Sequence, residues 1–84
     1  MEENPNLKSA ILEVVENQLQ ANDPPETRQT YDRLISEGYS EVEAKKLIGC
    51  AVSLEIFDVL KKQEPFNPER FAKALNELPK SIGS

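Results

Sequence analysis

Ser40-Glu41-Val42-Glu43-Ala44-Lys45-Lys46-Leu47-Ile48-Gly49-Cys50-Ala51-Val52-Ser53-Leu54-Glu55-Ile56-Phe57-Asp58-Val59-Leu60-Lys61-Lys62 is a proline-free run with a start signal at one end and a stop signal at the other. Ser40 and Glu43 have the spacing of a capping box, in which each side chain satisfies a backbone N–H of the first turn. Lys61 and Lys62 put cations where a helix C-terminus favours them. Between these ends, Leu47, Ile48, Cys50, Ala51, Val52, Leu54, Ile56, Phe57, Val59 and Leu60 leave nearly every side of the middle apolar. A helix of that kind is either the centre of its domain or one that also meets a partner.

The neighbouring sequence reads as shorter helices around it. Thr27, Tyr31, Leu34 and Ile35 repeat at helical spacing. Gly38 can supply the left-handed residue that closes this helix, and Tyr39 the apolar residue of a Schellman-type stop. Asp23-Pro24-Pro25-Glu26 opens it, with Asp23 expected as N-cap and Glu26 completing a second capping box. Upstream, Asn4-Pro5 reads as an N-cap followed by proline at the first helical position. Leu7, Ile11, Val14, Val15 and Leu19 then mark one face of a helix that ends near Ala21-Asn22. Downstream of Pro65, Asn67 and Pro68 start a last helix, with Phe66 and Phe71 at the positions of a hydrophobic staple. Its stripe of Phe71, Ala74, Leu75 and Leu78 ends at Pro79. No alternating apolar and polar run or Asn-Gly turn suggests a strand. The expectation is an all-α single domain over residues 1–84, a four-helix bundle with helices at about 5–21, 25–37, 41–62 and 68–78 and a frayed tail from Lys80 to Ser84.

Charge and composition narrow the chemistry. Fifteen acids against ten bases give a formal charge of -5, and the Lys and Arg residues are scattered rather than clustered. Such a field repels phosphate backbones, so nucleic acid is not an expected partner. The chain contains no histidine, which removes the commonest general base and transition-metal ligand. Neither a metal nor a cofactor is expected, since Gly-rich phosphate loops and EF-hand spacings are absent as well. Cys50 is the single cysteine and lies in an apolar helical run, where a thiol reads as an inert packing residue. The acidic start at Met1-Glu2-Glu3-Asn4 does not resemble an export signal, and no apolar stretch approaches the length of a membrane span. A cytoplasmic protein with no membrane contact is expected.

A few residues stand out from this background. Glu55 and Asp58 interrupt the apolar face made by Ala44, Leu47, Ile48, Ala51 and Val59, and Gln18 falls on the apolar face of the first helix. They are edge positions reaching water, a satisfied polar pair between Gln18 and Glu55, or an acid-only catalytic site. Gly49 costs about 1 kcal/mol relative to alanine in mid-helix, which suggests a close helix crossing, with the first helix as the candidate neighbour.

Two short comparisons concern the corner from Leu34 to Ile48. It has the outline of a helix-turn-helix with Gly38 in the turn, but Glu41 and Glu43 at the start of the second helix would face phosphates with acids. Gly38-Tyr39 followed by Ala44 and Leu47 resembles the first loop and following helix of ubiquitin-associated domains, with Glu37 where that motif has methionine. That family implies a ubiquitin-binding module and a second turn about ten residues later, where this chain continues as one apolar helix.

From Glu16 to Pro79 the chain also resembles a group of short bacterial all-helical proteins of unknown function. The resemblance is carried by Glu16-Asn17-Gln18-Leu19, Asn22-Asp23-Pro24-Pro25-Glu26-Thr27, Arg33-Leu34, Gly38-Tyr39-Ser40, Glu43-Ala44, Glu55-Ile56, Pro65-Phe66 and Leu78-Pro79. Some of those proteins carry a His-Glu-Ala-x-x-His-like segment where this one has Val42-Glu43-Ala44-Lys45-Lys46. Any metal held there would have lost its ligands here.

The functional expectation is a non-catalytic interaction or structural module, not an enzyme, with Leu47, Leu54, Phe57 and Leu60 as its candidate contact surface. A protein partner or a homodimer would use that surface; a monomer would result if the three shorter helices covered it. A nucleic-acid adaptor or a ubiquitin-associated-like module are the alternatives.

Overall fold

The computed structural model describes residues 6–79, which form four helices and no strand. These are α1 (Asn6–Ala21), α2 (Pro25–Ser36), α3 (Glu41–Lys62) and α4 (Pro68–Glu77). The cap expected at Asn4-Pro5 and the tail from Lys80 lie outside the described residues.

Helix ends follow the local chemistry closely. The Ser40 hydroxyl accepts from Glu43 N–H at 3.1 Å, and the Glu43 carboxylate accepts from Ser40 N–H at 3.1 Å, so the box closes in both directions. Gly38 takes φ +103°, and Tyr39 N–H reaches Leu34 O at 3.1 Å while Gly38 N–H reaches Ile35 O at 3.0 Å. That is the Schellman pattern, and it ends α2 at Ser36, with Glu37 as its C-cap rather than its last residue. Asn67 accepts from Arg70 N–H at 3.0 Å, and the Phe66 and Phe71 rings lie 5.6 Å apart as a staple requires. α4 stops at Glu77, one residue before the expected end.

The expected cap on α2 is not there. Pro24, which has no side-chain donor or acceptor, is the N-cap, and no side-chain cap bond forms. Asp23 instead belongs to the end of α1: its N–H donates to Gln18 O at 3.1 Å, while Asn22, at φ 54°, occupies the left-handed position. Pro25 at the first helical position has no N–H to satisfy, so the start stands without the aspartate.

α3 packs against each of the other three helices, α2 also meets α1 and α4, and the backbones of α1 and α4 stay apart. Val15 and Leu19 of α1, Leu34 of α2, Ala44, Ile48, Ala51 and Val52 of α3, and Phe71, Leu75 and Leu78 close the core. Gly49 sits where α1 crosses: a Cβ there would lie 3.3 Å from Ile11 Cγ2 and 4.0 Å from Val15 Cγ2. The crossing inferred from a mid-helix glycine is thus with α1. Lys45 and Glu16, 2.6 Å apart, tie the same two helices at the surface, and that hydrogen bond raises the Lys45 pKa.

One long-range contact had no sequence signal. The Arg33 guanidinium donates to Leu78 O and to Leu75 O, each at 3.0 Å, and so caps the end of α4 from α2. The last carbonyls of a helix have no partner within it, and a cation is favourable there.

Candidate functional site

The separation of α1 from α4 leaves part of α3 uncovered. Between them lies an open groove of about 310 Å³, floored by Val52, Ile56 and Val59, with Val14 and Gln18 on the α1 side and Phe66 and Phe71 on the other. Leu60 also lines the groove, and it is 72% exposed. An α-helix turns 100° per residue, so from Leu60 the apolar surface continues around the outside of α3 to Phe57 and Leu54, themselves 58% and 52% exposed. Phe66 and Ile56 are also partly in solvent.

Three of the four residues expected to form a contact surface are therefore open. Leu47 is the exception: it is half-buried and packs against the core. Cys50 corrects another expectation, since the thiol is free and exposed rather than a packing residue. The apolar run around it in sequence occupies other sides of the helix, and Cys50 points outward.

Of the readings open for Gln18 and Glu55, the mutual pair does not form, and Glu55 is not an edge position reaching water. Gln18 accepts from the Thr27 hydroxyl at 3.0 Å, joining α1 to the completely buried Thr27 of α2. Glu55 is buried and bound to the start of α4. Its carboxylate accepts from Arg70 Nε at 2.9 Å, from Arg70 Nη2 at 2.8 Å and from Asn67 N–H at 3.0 Å. Gln18 and Glu55 face the same groove from different sides, each satisfied by another residue. Sequence spacing showed that both lay on apolar faces, but Arg70 carries no mark in the sequence that singles it out as the partner.

Electrostatics around Glu55 are structural in character. The Arg70 guanidinium holds the Glu55 carboxyl below the usual carboxylate range against the opposing effect of burial, and the Asn67 N–H adds to the lowering. Arg70 is raised in turn by its bond to Glu55. Asp58 and Glu64 approach the same guanidinium at 3.7 and 3.5 Å. Both oxygens of Glu55 are thus occupied by Arg70 and Asn67, which ties the start of α4 to α3. Asp58 is half-buried beside the same arginine.

The remaining motifs are placed as follows. The α2–α3 corner has the helix-turn-helix outline, and Glu41 and Glu43 at the start of its second helix are exposed. α3 continues unbroken to Lys62, without the second turn of a ubiquitin-associated domain. Among the described residues no cluster of His, Cys, Asp and Glu could hold a metal ion, and no helix is long and apolar enough to cross a membrane.

Comparison with protein families, with functionally characterised proteins and with solved structures finds none that matches this chain.

Proposed function

We propose that this chain is a non-catalytic protein-interaction module, acting in a bacterial cytoplasm, whose contact surface is the outer side of the C-terminal half of α3 and the groove beside it. The observation that carries this reading is the continuous exposure of Leu54, Ile56, Phe57, Leu60 and Phe66. Large apolar side chains grouped in this way mark contact sites more often than isolated ones do. The fully occupied Glu55 carboxylate supports a structural use of the polar residues nearest the groove. A free, exposed Cys50 suits a reducing compartment.

A photo-reactive amino acid at position 60 tests the reading in the native cell, with the same group at Gln29, an exposed position on α2, as the comparison. Position 60 should yield a discrete cross-linked protein that position 29 does not. Equal or absent cross-linking at the two positions would remove the module reading.

A further inference from the structure

We infer that the molecule covering this surface is a second copy of the chain, placed by a twofold axis at Phe57. This rests on the module reading and names its partner. Leu54, Phe57 and Leu60 are exposed and evenly spaced, three residues on either side of the phenylalanine. A twofold axis through that point sets Phe57 against its own mate and Leu54 of each copy against Leu60 of the other. Each residue then meets its counterpart reciprocally, as an isologous interface requires.

Charge placement agrees with that register. Pairing about Phe57 sets Lys61 opposite Ser53 and Lys62 opposite Val52, with no like charges facing each other along α3. A shift of the axis toward residues 53 and 54 would instead bring Lys46 against Lys61. Like-charge opposition of that kind selects against an alternative partner or register.

The available area is also of the right size. At roughly 200 Å² for a whole large apolar side chain, the exposed parts of Leu54, Ile56, Phe57, Leu60 and Phe66 amount to about 500 Å² per copy. A standard interface buries about 800 Å² per partner, of which roughly 65% is apolar in homodimers. The open surface of one copy therefore supplies about the apolar share that a stable homodimer needs. The net charge of -5 on each copy opposes association at long range, so added salt should strengthen the dimer.

Sedimentation equilibrium of the full chain from about 10 μM to about 1 mM tests the inference, a range in which a dimer of moderate affinity is resolved. The native chain should pass from monomer to dimer. Leu60→Glu and Phe57→Glu should each weaken association by about a hundredfold or more, because the lost burial counts once in each copy. Both positions are in solvent in the single chain, and circular dichroism should show unchanged helicity. A native chain monomeric at about 1 mM, or a dimer unmoved by both substitutions, overturns the second copy. If position 60 still cross-links a different protein in the cell, the module reading stands without it; if it cross-links nothing, both fall.

Discussion

Glu55→Leu tests the contact that holds the start of α4 against α3. The substitution removes the acceptors for Arg70 Nε, Arg70 Nη2 and the Asn67 N–H, of which the last is the N-cap amide of α4. Breaking a buried ion pair from one side costs about 3 to 5 kcal/mol, because the remaining partner is left unmatched. Arg70 keeps Asp58 and Glu64 nearby and is partly solvated, and the new leucine faces the apolar groove, so part of that loss is recovered. A net loss of about 2 to 3 kcal/mol is expected, roughly half the stability of a domain this small. Urea unfolding followed by circular dichroism should show the midpoint fall by about 2 to 3 M at an m-value near 1 kcal/mol/M. Glu55→Gln, which keeps one oxygen, should lose less, about 1.5 kcal/mol. If Glu55→Leu is as stable as the native chain, the pair does not hold α4, and the reasoning from its geometry is wrong.

The other predictions concern separate contacts. Because Arg70 lowers the Glu55 pKa in the folded chain, the contribution of Glu55 is complete above the ordinary glutamate value of about 4.3 and disappears as pH falls through the lower native value. Acid titration of stability should therefore be steeper for the native chain than for Glu55→Gln, and parallel curves would contradict it. Arg33→Lys cannot span both Leu75 O and Leu78 O with one planar fork, and a loss of about 1 kcal/mol with faster amide exchange at the end of α4 is expected. At Gly49, alanine gains about 1 kcal/mol of helix propensity and meets Ile11 Cγ2 at 3.3 Å, so its thermal midpoint should stay near the native one, whereas Gly49→Val should lower it clearly. Ser40→Ala opens the capping box and should lower stability by about 1 kcal/mol in urea unfolding.

The helices were legible because their boundary signals are local. Ser40 with Glu43, Gly38 with Tyr39, Asn67 with Pro68 and Phe66 with Phe71 act over at most five residues, a range in which the sequence separation is also the spatial one. Asp23 marks the limit of that logic. It had the right chemistry for a cap, but its backbone N–H was taken up in closing the preceding helix, and the cap moved to Pro24.

Periodicity also identified α3 as the shared centre, since a helix apolar on most sides needs several neighbours. Which sides those neighbours cover was a separate matter. Cys50 and Leu47 lie three residues apart within one apolar run, yet one is exposed and the other packs against the core. The difference comes from where α1, α2 and α4 cross α3, and crossing positions depend on the packing of all four helices together.

The sequence by itself determined four helices, the capping box at Ser40, the glycine stop at Gly38, the Asn67 cap, the close approach at Gly49 and the excess of apolar surface on α3, because each follows from backbone chemistry or from the helical repeat. Tertiary structure alone decided that Glu55 binds Arg70 rather than Gln18, that Arg33 caps a helix more than 40 residues away, and that Leu54, Phe57 and Leu60 remain open. These outcomes join or expose side chains far apart in the chain, and their meeting depends on how rigid helices settle around a common core rather than on any short stretch of residues.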